Sequence, residues 1–225
     1  MAKPEGPPDI VPVENWRTDA ISDKGFADVL AASVGVVGSK LDIGIFTGCL
    51  FIGTVGVIIA RTQFDQLIMP SVTAQMVQQW SSFGAGVSVA ILGFLIAGFS
   101  VFATVTRPAF FHVLAQIRQS NRNISEFKFV FYNFIYIFAH YIIYLAMCML
   151  FASMLIDNSP AWFAGKVIYA HAPILVDILL GIMGAMVISY SVFSLLLLRS
   201  FLWNLYQSLL FAIFYEEPEA KEKVT

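Results

Sequence analysis

The chain has 225 residues, of which 58% are apolar and only 12% are charged, and its formal net charge is −2. Soluble domains usually carry about 25% charged residues, so this composition excludes an ordinary soluble protein. The chain has no run of lysine and arginine residues that could form a nucleic-acid surface, and no nucleic-acid partner is predicted.

Two segments precede the first long apolar run. Residues 1–20 contain four prolines and several acids, a composition typical of a disordered arm. In residues 21–42 the apolar side chains fall mostly on one face of a helix. This pattern predicts an amphipathic helix that lies at the membrane interface.

Four segments free, or almost free, of Asp, Glu, Lys and Arg follow, the last containing only Asp177. A helix needs about 20 residues to cross about 30 Å of hydrocarbon, and continuous apolar runs favour helices over barrel strands. We therefore predict an all-α integral membrane protein with a four-helix transmembrane domain over 43–198. Its spans are expected at about 43–60, 83–106, 129–156 and 172–198.

The segments between and after these spans are more polar. Residues 66–82 are expected to form an outer loop with a short interfacial helix. The inner loop 107–128 and the segment 199–225 are expected to contain amphipathic helices, the latter ending in a charged tail. These cytoplasmic pieces would either lie on the lipid headgroups or dock onto a soluble protein partner.

The basic residues predict the orientation of the chain. If the N-terminus is cytoplasmic, six basic residues lie near the inner ends of the spans and two lie outside, as the positive-inside rule requires. We expect both termini in the cytoplasm and the chain in a bacterial inner membrane. The inner residues are Lys40, Arg107, Arg118, Arg122, Lys128 and Arg199, and the outer ones are Arg61 and Lys166.

The second span carries a stripe of small residues at alternating spacings of four and three. Small residues let helix backbones approach closely, which is a main source of association in lipid. The stripe predicts either packing of helices within one subunit or a contact between subunits, and a pore lining is the third reading. We call the following set the small-residue stripe: Gly86, Ala90, Gly93, Ala97, Ser100 and Thr104.

The third span carries a polar face formed by Asn133, Tyr136, His140 and Tyr144, at spacings of three, four and four. Polar groups at such depth usually face the protein interior or water. Counted along the predicted spans, the depth of Asp177 in the membrane differs from that of His140 by only a few ångström. A contact between these two residues is therefore one hypothesis. The face could supply hydrogen bonds between helices, a path for protons or ions, or a ligand pocket.

Catalytic motifs such as GxSxG, HExxH and GxxxxGK are absent from the sequence. One mid-membrane histidine with one carboxylate falls short of the three or four ligands that zinc requires. Cys49 and Cys148 fall at different predicted depths, so no disulfide between them is expected. We predict no catalytic residue, no metal site and no cofactor.

In its architecture the chain resembles small multi-span bacterial membrane proteins, among them membrane components of antiviral defence systems. The leading hypothesis is a non-enzymatic, homo-oligomeric scaffold or sensor that engages a cytoplasmic partner. The alternative is an ion channel or membrane-permeabilising effector that uses the polar face of the third span.

Overall fold

The computed structural model describes residues 25–37, 40–63, 70–105, 111, 114–116 and 124–222. The predicted disordered arm and most of the inner loop lie outside these residues. Within them the chain forms six α-helices. They are α1 (Phe26–Val37), α2 (Lys40–Gln63), α3 (Pro70–Val105), α4 (Glu126–Met154), α5 (Pro160–His171) and α6 (Pro173–Glu222).

Three of the helices are long and apolar enough to cross a membrane: Val72–Thr104 in α3, Glu126–Met154 in α4 and Pro173–Gln207 in α6. Only 22%, 33% and 39% of their most apolar windows are buried. Many large apolar side chains are therefore exposed on the protein surface, as lipid contact requires. The protein is all-helical in its described residues and has three candidate membrane spans.

The predicted first span, 43–60, lies in α2, whose apolar part is shorter. In the described residues this part is Leu41–Gly56, about 24 Å at about 1.5 Å per residue. That length falls short of the roughly 30 Å of a hydrocarbon core. Length and composition therefore identify three spans, whereas four were predicted.

The helix α3 begins at Pro70, well before the predicted start of the second span at 83. Proline suits the first turn of a helix, where its missing N–H needs no partner. Ala74, Val77 and Ser81 are buried at spacings of three and four, so this polar segment has a helical packing face of its own. The prediction of a separate outer loop and short interfacial helix over 66–82 is wrong for residues from Pro70 onward.

The connection between α4 and α6 contains α5, a helix that the apolar runs did not reveal. Asn158 adopts a left-handed backbone with φ of 65°, which turns the chain. The Ser159 hydroxyl then accepts a hydrogen bond from the Trp162 amide, and Pro160 occupies the first helical turn. A serine followed by proline is a recognised signal for a helix start, and it could have identified α5 from the sequence.

The helix α6 has 50 residues, about 75 Å at about 1.5 Å per residue. The fourth span was predicted to end at 198 and the helix to continue through an amphipathic segment from Arg199 to Tyr215. In the structure one helix runs from Pro173 to Glu222, because apolar length marks the extent of the hydrocarbon layer and not the end of a helix.

The chain divides into two compact units. Unit one comprises the described residues of Met1–Gly38, Gly98–Tyr136 and Ser200–Thr225, and unit two comprises those of Ser39–Ala97 and Ile137–Arg199. The core of unit two is centred on Tyr144, Cys148 and Val187.

Unit one is held by phenylalanine rings. Phe99 stacks on Phe134 with ring centroids 4.3 Å apart, and Phe134 also contacts Phe201 at 6.3 Å. Phe127 packs against Phe131 at 4.6 Å. Aromatic pairs at these distances contribute beyond the apolar area that they bury.

A single glycine sets the approach of α3 to α4 in unit two. A Cβ atom at Gly84 would lie 2.5 Å from the Tyr144 hydroxyl and 3.0 Å from the Cys148 sulfur. Both neighbouring side chains are buried and cannot easily move away. A side chain at position 84 is therefore expected to force α3 away from α4.

We predict that Gly84→Ala lowers the melting temperature of the detergent-solubilised protein. Overpacking of this kind costs about 1–3 kcal/mol. Gly98→Ala is the matched control on the same helix, because its new Cβ would meet nothing within 4 Å. Equal melting temperatures for the two variants would show that the α3–α4 contact does not depend on Gly84.

Candidate functional site

The polar face of α4 meets α6 in unit two. The hydroxyl of Tyr144 hydrogen-bonds the hydroxyl of Ser191, and the Tyr144 ring stacks on Tyr190 with centroids 5.3 Å apart and planes 2° from parallel. Ser191 also donates to the Val187 carbonyl one turn earlier, at 2.8 Å. Tyr144 is buried in this contact, at 3% exposure.

A second interhelical hydrogen bond comes from Tyr141, which was not among the predicted site residues. Its hydroxyl donates to the backbone carbonyl of Ser194 at 2.8 Å, and the side chain is only 1% exposed. Tyr141 lies one helical turn before Tyr144, so it could have been added to the polar face by spacing alone. Ser191 in an otherwise apolar span was the complementary signal on α6, whereas the acceptor at Ser194 is a backbone carbonyl that any residue would supply.

These two hydrogen bonds fix the register of α4 against α6. Three residues forward on α4, from Tyr141 to Tyr144, correspond to three residues back on α6, from Ser194 to Ser191. The two helices therefore run antiparallel in unit two.

His140 lies in an aromatic environment. Its ring centroid is 6.4 Å from that of Tyr190 and 5.4 Å from that of Phe193. The same two rings contact Phe46 of α2 at 5.7 and 5.5 Å. His140 itself is half-buried, so it lies at the edge of an aromatic cluster that joins α2, α4 and α6.

The register separates His140 from Asp177. His140 lies beside Tyr190 and Phe193, and Tyr190 is thirteen residues beyond Asp177 on α6. At about 1.5 Å per residue the two levels differ by about 20 Å. The expectation that these residues share a similar depth is therefore wrong, and a direct contact between them is excluded. The two depths were counted from opposite sides of the membrane, and spacing along each helix contains no register between α4 and α6.

The remaining predicted residues of the polar face, Asn133 and Tyr136, lie in unit one and are buried at 2% and 4% exposure. Asn133 lines a small cavity in unit one. Among the described residues no group of three His, Cys, Asp or Glu side chains is placed to hold a metal ion. Cys49 and Cys148 are free thiols.

All six residues of the small-residue stripe are exposed. A Cβ atom added at Gly86 or at Gly93 would meet nothing within 4 Å. The buried face of α3 in unit two instead carries Ala74, Ser81, Ser88 and Leu95, seven residues apart. At about 100° per residue this face lies on the side of the helix opposite the stripe.

The close contacts between helices in unit two are made by other glycines. A Cβ atom at Gly53 of α2 would lie 3.0 Å from the Cβ of Ala185, and one at Gly184 of α6 would lie 3.3 Å from Val77. Packing within the chain therefore uses small residues outside the stripe. Nothing in the described part of the chain covers the stripe itself.

Comparison of the chain with protein-family models, with curated proteins and with solved structures gave no match. Any assignment of function therefore rests on the geometry. In unit two this geometry includes the hydroxyls of Tyr141, Tyr144 and Ser191, which are hydrogen-bonded to each other or to backbone carbonyls. Such groups hold helices together.

We predict that Tyr141→Phe lowers the melting temperature in mild detergent, because it removes the hydrogen bond to the Ser194 carbonyl and leaves the ring in place. Interhelical hydrogen bonds in membranes average about 0.6 kcal/mol, with a maximum of about 1.7 kcal/mol. Tyr206→Phe is the matched control, since Tyr206 is 53% exposed. An identical loss in both variants would contradict a specific role for the Tyr141 hydroxyl.

Proposed function

We propose that this protein is a non-enzymatic membrane scaffold that self-associates through the small-residue stripe of α3 and presents its non-membrane helical segments to a soluble cytoplasmic partner. The observation that carries the proposal is the exposure of the entire stripe on the helix face opposite the intrachain contacts. A second copy of the chain is the occupant that a stripe of small residues favours, because backbones approach closely there.

Residue size on the rest of α3 supports this view. Most exposed positions off the stripe in the spanning part of α3 hold large apolar side chains, as expected for contact with lipid. They include Phe83, Val89, Phe94, Ile96 and Val101, which are 51–66% exposed. The stripe differs from these positions in residue size, so it is a surface suited to another helix.

The proposed cytoplasmic contact rests on the length of α6. Its 50 residues extend over about 75 Å, more than twice the thickness of a hydrocarbon core. The part of the helix beyond the membrane includes the sequence EEPEAKE, whose charges suit water and a protein surface. Trp203 and Tyr206 are exposed before it, and residues of this kind are enriched at the membrane boundary.

The proposal includes α2 as a fourth crossing, with both termini in the cytoplasm of a bacterial cell. The full helix has 24 residues, about 36 Å, which is sufficient if its ends reach the headgroups. A channel is supported less well, because Tyr144 of the polar face is engaged with Ser191 and Tyr190.

We predict that the paired change Gly93→Leu and Ala97→Leu shifts the detergent-solubilised protein from an oligomer to a monomer, because two isobutyl groups would hold the backbones apart. Mass measurement by light scattering provides the readout. The control is Ala103→Leu, an exposed position about 100° around the helix from the centre of the stripe, which should remain oligomeric.

A monomeric wild-type protein, or an oligomer that survives the paired change, would overturn self-association through this face. Identification of the proteins that co-purify with the wild-type protein then tests whether it binds a soluble cytoplasmic partner. If liposomes containing the protein conduct ions, and His140→Ala abolishes the current, the channel alternative replaces the scaffold.

Reporter fusions test the proposed topology. We predict that a reporter active only in the cytoplasm will function at both the N-terminus and the C-terminus, because four crossings return the chain to its starting side. Activity at one terminus only would establish an odd number of crossings and would remove α2 as a span.

A further inference from the structure

A small, partly open cavity lies in unit one, between the end of α3, the first turns of α4 and the middle of α6. Its walls are four phenylalanine rings, Val130, Leu205 and the side chains of Asn133 and Asn204. The space open to the centre of a water molecule is about 20 Å³. About 10–15 Å³ is enough for one water, whereas a drug-sized ligand needs several hundred cubic ångström.

One wall of the cavity carries a hydrogen-bond acceptor that has no donor in the described protein. Asn133 is only 2% exposed, and its Oδ1 atom has no hydrogen-bond partner in the described protein. A carbonyl oxygen of an amide can only accept, so the occupant has to donate. A buried polar atom without a partner is costly, and such atoms in native proteins are usually satisfied by protein or by ordered water.

The side-chain amide of Asn204 further restricts which molecule the cavity can bind. Asn204, on α6, lines the same cavity, and an asparagine side chain offers both donors and an acceptor. The phenylalanine walls offer no conventional hydrogen-bonding group. The occupant is therefore a molecule of one heavy atom that donates to one amide and can donate to or accept from another.

We propose that this cavity binds one ordered water molecule that donates to Asn133 Oδ1 and bridges α4 to Asn204 of α6. The water satisfies an asparagine that lies within a candidate membrane span. It makes the polar end of the α4 face a hydrated helix junction, separate from the direct tyrosine–serine hydrogen bonds of unit two.

An experimental structure of the full chain in lipid nanodiscs, at a resolution that shows ordered solvent, tests the proposal directly. The expected result is density for one water at about 2.7–3.2 Å from Asn133 Oδ1. Density for an acyl or detergent chain, or an empty cavity, would overturn the proposal.

The direction in which Asn133→Leu changes the melting temperature, relative to the wild-type protein, provides an independent test. If a water is bound, leucine displaces it and deprives Asn204 of that partner, and the melting temperature falls by about 2–4 °C for each kcal/mol lost. If the cavity is empty, leucine removes an unsatisfied oxygen and the melting temperature rises, which would overturn the proposal. Val130→Leu, in the same wall but without a polar atom, controls for the added volume. If Asn133→Leu fails to fold, the wild-type density decides.

Discussion

The contact between Gly84 of α3 and Tyr144 of α4 is the constraint on which the arrangement of unit two depends. Lipid is as apolar as leucine, so helices in a membrane associate through close packing and hydrogen bonds and not through burial from water. The absence of a side chain at Gly84 makes room for the Tyr144 hydroxyl and the Cys148 sulfur. Tyr144 in turn reaches Ser191 and stacks on Tyr190, so one small residue positions three helices.

The length of the segments that lack charged residues predicted the all-helical class and the three long helices. Charges are costly to bury in hydrocarbon, so membrane spans can be identified from composition alone. It could not predict where helices end. Pro70 starts α3 and Glu222 ends α6 outside the most apolar stretches, since a helix continues wherever its backbone remains satisfied. The number of crossings was harder still, because the apolar part of α2 is near the minimum length.

The register between neighbouring helices was the second feature that the sequence could not predict. Spacing places Tyr144 and His140 on one face of α4, yet it contains no information on which residues of α6 lie opposite. The hydrogen bonds of Tyr141 and Tyr144 supply that register, and they place Asp177 far from His140. The buried face of α3 was equally hidden, because both faces of this helix carry small residues and only tertiary contacts distinguish them.

The two faces of α3 have different chemistry, and this difference bears on how firmly copies would associate. The buried face contains serines and the glycine that accommodates Tyr144, whereas the exposed stripe has only two hydroxyls, those of Ser100 and Thr104. The Thr104 hydroxyl donates to the Ser100 carbonyl of its own helix at 2.9 Å. An interface built on this stripe would thus rely mainly on van der Waals contact between backbones.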